Sequence, residues 1–489
     1  MLGFEPKHGE SNTTKNDSVI SVPQCFLPSE GSHRHATPAS KIEIKTESVH
    51  RYNRASYLPL LATMTTMHKR FTSLLITLLG LSSFAAADTP SFPSSDWPWW
   101  RGQTRQGVAS ADQTPPMTWS ETENVAWKTP IPGRGHGSPI LLNDRIYLIT
   151  ADQERRAELL LCLDRKTGKQ IWETVVHQGE FFKTSGREAN QKASWASSTP
   201  ATDGERIFVN FYNDQAVYTS AINLDGELDW QTRLCDYQIH QGYGSSPAIY
   251  ENLVIASADN KAGGSIVAMD RQTGEVAWRR DRPAKPNYAS PIILNVSGKD
   301  QLLLTGCDLV TSLDPTTGKT NWEIEGATTE CVTSTVTDGK HIFTSGGYPK
   351  NHVAAVLADG SGTIDWEVNT RNYVPSMLEK DGYLYMSLDA GVATCVNAED
   401  GETMWKSRLG GEFTASPVLA GNLIYATNED GTTFVFKADP EDFEKLAENK
   451  LDGTTFATPV ICDGKIYIRL AKDQDGTKQE YLYCIGTEQ

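Results

Sequence analysis

The stretch Leu161-Cys162-Leu163-Asp164-Arg165-Lys166-Thr167-Gly168-Lys169-Gln170-Ile171-Trp172 decides how this chain folds. An apolar run ends at an aspartate, Thr-Gly follows, and a second run opens towards a tryptophan. An aspartate bonds to nearby backbone amides and a glycine takes positive φ, so Asp-x-x-Thr-Gly reads as the turn of a hairpin. The same arrangement returns at Ile266 to Trp278 and at Val310 to Trp322. Upstream of each copy lies a Ser-Pro opening, at Ser138-Pro139, Ser246-Pro247 and Ser290-Pro291, followed by a run rich in Ile, Val and Tyr. Such residues suit a half-buried pleated strand.

Working outward, the tryptophans Trp172, Trp230, Trp278, Trp322, Trp366 and Trp405 stand 58, 48, 44, 44 and 39 residues apart. The opening prolines keep the same beat at Pro139, Pro200, Pro247, Pro291, Pro417 and Pro459, with two degenerate openings at Ser334-Thr335-Val336 and Val374-Pro375-Ser376. Eight openings at a period near four short strands and their turns predict an all-β, eight-bladed β-propeller of four-stranded antiparallel blades. Each tryptophan is expected to end an outer strand and pack between neighbouring blades. The last copy, Thr458 to Ile485, stops before a fourth strand, and Asn124-Val125-Ala126-Trp127-Lys128 supplies the missing piece. An N-terminal strand carrying Trp127 should therefore complete the last blade and close the ring. The seventh copy departs from the pattern, with Phe443 to Asn449 where a tryptophan strand is expected.

Ahead of the repeats, His68-Lys69-Arg70, the apolar run Phe71 to Phe84 and Ala85-Ala86-Ala87 have the order of a secretory signal peptide. The run is too short to span a bilayer comfortably. We expect 1–66 to be an extension upstream of a true start at Met67 or Met64, 67–87 a signal peptide, and 88–489 the propeller. The mature chain would be exported, periplasmic or extracellular, cleaved near Ala87, with no transmembrane anchor and no cysteine there to carry a lipid. Among 489 residues, 61 acidic side chains outnumber 45 basic ones, for a net charge of −16. A phosphate backbone needs clustered Lys and Arg, so nucleic acid is not an expected partner.

The repeat resembles that of quinoprotein-like propellers, with an Ala-Leu-Asp-x-x-Thr-Gly-x-x-x-Trp core and tryptophan docking between blades. Quinoprotein alcohol and glucose dehydrogenases in that family hold pyrroloquinoline quinone and calcium on the ring axis, and many of the alcohol-oxidising members carry an adjacent Cys-Cys pair. No two cysteines are adjacent here, and no Cys-x-x-Cys-His is present. A non-catalytic branch is similar to the outer-membrane assembly propeller lipoprotein, although the lipobox cysteine is missing. Exported propellers that open with Trp-x-x-x-Arg-Gly, here Trp97 to Gly102, and end with Leu-Tyr-Cys-Ile-Gly, here Leu482 to Gly486, resemble the chain most closely. The resemblance implies a monomeric binding or scaffold protein for an envelope protein or a small ligand, with no cofactor. The alternative is a quinone-dependent oxidoreductase with pyrroloquinoline quinone and calcium on the axis; a hydrolase or lyase with an axial metal is a third reading.

Residues just before each opening should lead to the innermost strands and the channel. They are Arg134 and His136, Lys192 and Trp195, His240 and Tyr243, Tyr288, Glu330, Tyr373, Glu412 and Phe413, and Phe456. This aromatic and charged set could form a ligand mouth. The competing reading is ordinary packing. His136 or His240 would need an oriented partner to act as a base, and the sequence identifies none. Cys162, Cys395 and Cys484 share one repeat position with Ala268 and Ser312, which marks a small buried slot. Cys235, Cys307, Cys331 and Cys462 are scattered, without metal-ligand spacing, and their pairing is left open. Asp164, Asp270 and Asp314 recur with Thr-Gly and read as turn residues, not calcium ligands. The longest insertion, Val176 to Trp195, is either a contact surface or a solvated excursion.

Overall fold

The computed structural model describes residues 88–184 and 189–486. The signal-peptide and extension readings, Cys25, and Arg187-Glu188 of the long insertion lie outside the described residues.

Hydrogen bonding sorts the strands into eight four-stranded antiparallel sheets. Blade 1 runs Ile140–Leu142, Arg145–Asp152, Ala157–Asp164 and Gln170–Gln178 from axis to rim. The innermost strands of blades 2 to 8 are Ala201–Thr202, Ala248–Tyr250, Ile292–Val296, Val336–Thr337, Leu378–Lys380, Val418–Ala420 and Val460–Cys462. Middle strands such as Ala157–Asp164 are buried almost throughout, because neighbouring blades cover both faces. Outer strands such as Val276–Asp281 alternate between exposed and half-buried positions. The expected closure is present: Val125–Ile131 pairs with Thr477–Ile485 as the fourth strand of blade 8. Among the described residues, no helix is long and apolar enough to cross a membrane.

Each part of the repeat has a physical role. Asp164 Oδ1 accepts the Thr167 amide at 2.7 Å and the Thr167 hydroxyl at 2.6 Å, and Asp270 and Asp314 do the same for Thr273 and Thr317. The tryptophan sits near the start of the outer strand, not at its end: Trp172 is the third residue of Gln170–Gln178. There its indole N–H donates to a carbonyl of the next blade, from Trp127 to Arg165, Trp172 to Leu224, Trp230 to Arg271, Trp278 to Pro315, Trp366 to Ala398 and Trp405 to Asp439. Trp322 differs, donating to Gln301 Oε1 in its own blade while Gln301 Nε2 reaches Ala358 O in the next. The small slot is the cross-strand partner of the tryptophan: Cys162 faces Trp172, Ala268 faces Trp278, Ser312 faces Trp322, Cys395 faces Trp405 and Cys484 faces Trp127. A larger residue would displace the indole, which is why only Ala, Ser or Cys recurs. All seven described cysteines are free thiols. Blade 7 builds its outer strand, Lys445–Lys450, without a tryptophan; Trp119, from the segment before the closing strand, is buried in the cluster joining blades 7, 8 and 1.

The segment Asp96 to Gln113 forms no regular strand, yet it bonds to all eight blades. Trp97 exchanges backbone bonds with Leu141 of blade 1, and Pro98 O accepts the Thr202 amide of blade 2. The Arg105 guanidinium donates to Ile249 O of blade 3 at 2.6 Å and Ile293 O of blade 4 at 3.0 Å. Gln106 Oε1 accepts the Thr337 amide of blade 5, and Arg101 donates to Met377 O at the start of blade 6. Ala109 N bonds to Leu419 O of blade 7, and Gln113 Oε1 accepts the Gly464 amide of blade 8. Innermost strands leave an unpaired edge towards the axis, which is costly unless it is covered. This segment covers it and closes one end of the channel.

Candidate functional site

A cavity of about 500 Å3 occupies the opposite end of the axis. Its lining comes from the openings of the blades, and its floor includes Trp100 of the closing segment. Around it runs a circuit of hydroxyls contributed by the residue at each opening, of which Thr199, Ser246, Ser290, Ser416 and Thr458 line the cavity. Ser138 N donates to Thr199 Oγ1 at 3.1 Å, Thr199 N to Ser246 Oγ at 2.9 Å, and Ser246 N to Ser290 Oγ at 2.9 Å. Ser334 N donates to Ser376 Oγ, Ser376 N to Ser416 Oγ, and Ser416 N to Thr458 Oγ1. The Ser138 hydroxyl donates to Thr458 O and joins the ends. Between Ser290 and Ser334 the series breaks, and there the Trp100 indole donates to Ser334 Oγ at 2.9 Å. The Ser of Ser-Pro is therefore a blade-to-blade fastener. Its one-per-blade recurrence was the available signal, and at the degenerate openings Ser334 and Ser376 hold the place while the proline is shifted or lost.

Of the residues expected at the mouth, His136, Lys192, His240, Tyr243, Tyr288, Glu330 and Tyr373 line this cavity, as does Phe456. Glu412 stands beside it through an ion pair of 2.6 Å with Lys192. Three others are corrected. Arg134 lines a separate small hollow with Glu480. Trp195 is buried within the insertion, stacked on Phe181 and donating to Phe182 O. Phe413 is a core residue against Phe434. The last two are bulky apolar groups beside a loop that must fold inward, so burial outweighs display. Trp100 and Tyr348 were missed; neither stands beside an opening in the sequence, and Tyr348 reaches the cavity by bonding its carbonyl to the Glu330 amide.

The polar centre is Glu330, whose side chain is 5% exposed. Tyr373 Oη donates to it at 3.3 Å, and His240 Nδ1 lies 3.5 Å from its other oxygen. His240 Nδ1 also lies 2.8 Å from Tyr288 Oη. His240 thus has the oriented partners that the sequence could not supply. Burial lowers its pKa, against the pull of Glu330. Burial, with Glu330 nearby, pushes the Tyr288 and Tyr373 phenols up, so both stay protonated. His136 packs against Phe456 with ring centroids 4.6 Å apart, and burial followed by the field of Arg134 holds it well below the usual histidine range. Burial opposes the Lys192 ammonium, but Glu412 and Glu429 outweigh it and raise its pKa.

The serine and threonine hydroxyls at the openings accept backbone amides of neighbouring blades, and the Tyr288 hydroxyl is the one paired with His240. Among the described residues no group of three His, Cys, Asp or Glu side chains is placed to hold a metal ion. Pyrroloquinoline quinone, a tricarboxylate carried with calcium, fits this donor set poorly: the cavity's one lysine is already shared by two glutamates, and one carboxylate stands on its wall.

Fold and site define a class: an eight-bladed, tryptophan-docked propeller with an axial cup floored by its own N-terminal segment. Matches to the family described as "Outer membrane protein assembly factor BamB" cover 102–189, 156–386 and 349–446, more than half of the chain, so it belongs to this PQQ-like propeller family. The chain is 22% identical over 330 residues to BamB of Yersinia pestis, covering 64% of this chain and 78% of that one. It is 23% identical over 360 residues to BamB of Burkholderia pseudomallei, covering 70% and 83%. The structure of BamB from Moraxella catarrhalis superposes with a TM-score of 0.51 at 13% identity, over 73% of this chain and 98% of that one. A europium-containing methanol dehydrogenase superposes at 0.55 and 12% identity, over 81% and 98%. Both solved structures share the fold.

Proposed function

We propose that this chain is an exported, non-catalytic binding propeller that holds an envelope protein or a small ligand at its axial cup. The observation that carries this reading is the cup itself: concave, aromatic, floored by Trp100 and walled by hydroxyls already committed to fastening the blades. Concave, mostly pre-formed sites with a few convergent polar groups are the usual form of a ligand pocket. Relatives named as assembly factors for outer membrane proteins support a scaffolding role. The sequence from His68 to Ala87, ordered as a signal peptide, supports export, and N-terminal sequencing of exported protein should begin near Asp88.

A photoreactive residue at Tyr348, 55% exposed and on the cup wall, tests the reading against one at Val276, 45% exposed on an outer strand. In envelope preparations, a defined adduct is expected from Tyr348 and not from Val276. Equal labelling at both, or none at either, would remove the cup as the binding surface. Adding pyrroloquinoline quinone and calcium to the purified protein should give no saturable quinone absorbance and no dye-linked alcohol oxidation. A stoichiometric signal would replace the scaffold reading with the oxidoreductase one.

A further inference from the structure

What the cup receives is constrained by its charge. Glu330 lines the cup, and Glu412 and Glu429 stand beside it, bound to Lys192, the one lysine of the lining. Lys192 bonds to Glu412 at 2.6 Å and to Glu429 at 2.8 Å, so it has nothing left for Glu330. The only ion-pair partner of Glu330 among the described residues is His240, at 3.5 Å. The Arg371 guanidinium lies over the Tyr373 ring at 5.1 Å and donates to Gly347 O. Glu330 is thus a deeply buried carboxylate bonded by the Tyr373 phenol, and among the described residues no lysine or arginine is paired with it.

Around it the lining is aromatic: Trp100, Tyr288, Tyr348, Tyr373 and Phe456. Ring faces attract cations and give an anion nothing. The wall hydroxyls carry lone pairs that can accept N–H donors. A neutral polyol would use the hydroxyls but leave the carboxylate uncompensated, and an anion would meet Glu330 and the Lys192-bound glutamates.

Resting on the binding reading above, we infer that the cup takes an organic ammonium group, held by the Glu330 carboxylate among the surrounding aromatic rings. Two sources share that chemistry: a free primary amine, and a lysine side chain presented by a partner segment.

Calorimetric titration of the intact protein separates them, with n-butylammonium, the neutral isostere n-butanol, sodium butyrate, and the peptide acetyl-Gly-Lys-Gly-amide as probes. Saturable binding is expected from the cations and not from n-butanol or butyrate. Preference for n-butylammonium assigns a small amine, and preference for the peptide assigns a partner segment. Glu330→Gln should weaken the preferred cation at least about tenfold, through loss of the buried carboxylate facing it, with an unchanged melting temperature. n-Butanol binding as well as n-butylammonium, or neither cation binding, overturns the inference on wild-type protein alone. Full affinity in Glu330→Gln overturns it too. If the cations fail while Tyr348 still cross-links a partner, the cation inference falls and the binding reading stands.

Discussion

At the scale of single residues, the repeat works because a glycine leaves room for an indole. A Cβ on Gly168 would lie 2.5 Å from the Trp127 ring and 2.4 Å from Thr129 Oγ1, and the glycine has φ +69°. Gly226, Gly274, Gly318 and Gly401 seat Trp172, Trp230, Trp278 and Trp366 in the same way. The sequence shows Thr-Gly as turn chemistry and tryptophan as a packing residue; that each serves the other across a blade boundary is visible only in the fold. Gly339 provides the control, with φ +92° and nothing within 4 Å of its would-be Cβ. Both alanine substitutions strain the backbone, but Gly168→Ala must also displace an indole, which should cost about 1–3 kcal/mol more. Urea denaturation of the two variants checks this, and equal losses of stability would show that the turn alone explains the glycine.

Among the elements, the join between the last blade and the first is held by charge. Arg469 and Glu480, on neighbouring strands of blade 8, have side chains only 1% and 4% exposed and pair at 2.6 Å. Arg469 also donates to Ile149 O of blade 1 at 2.7 Å, while Glu480 Oε1 accepts the Gly135 amide at 2.9 Å. Removing one partner of a buried, hydrogen-bonded pair strands the other charge, so Glu480→Ala should lose about 3–5 kcal/mol. The exposed pair Lys445–Glu448 is the comparison, since water screens it, and Glu448→Ala should change stability little. Similar effects from the two in equilibrium unfolding would show that the join rests on strand pairing alone. Nothing in the sequence marks Arg469 or Glu480, because each stands in an ordinary strand and their purpose comes from where blade 1 arrives.

For the whole molecule, stability depends on closing a ring whose members each need two neighbours. The closing strand runs from Val125 to Ile131, and Gly486 N bonds to Asn124 O beside it. Deleting Asn124–Lys128 should expose the edge of Thr477–Ile485 and the seat of Trp127, and the ring should lose its cooperative unfolding transition. Thermal unfolding followed by circular dichroism checks this; an unchanged melting curve would mean that seven complete blades and an open eighth suffice. The closing strand was legible because the last copy lacks the piece that Asn124–Lys128 supplies. The axial segment was not: Asp96 to Gln113 has no periodic counterpart, and its bonds run to eight blades at positions as far apart in sequence as Leu141 and Gly464.

The sequence alone determined the blade, the number of blades and the way the ring shuts, because those are local patterns repeated, and each copy vouches for the others. It also pointed to one place for the site, since residues before a repeated opening must approach the axis together. Only the tertiary structure decided which of them face the cup and which are packed away, as Trp195 and Phe413 are. It alone placed Trp100 as the floor and gathered Glu330, His240, Tyr288 and Tyr373 into one cluster. These residues meet across blade boundaries, where one blade's register against the next sets every distance, and no single repeat carries that information.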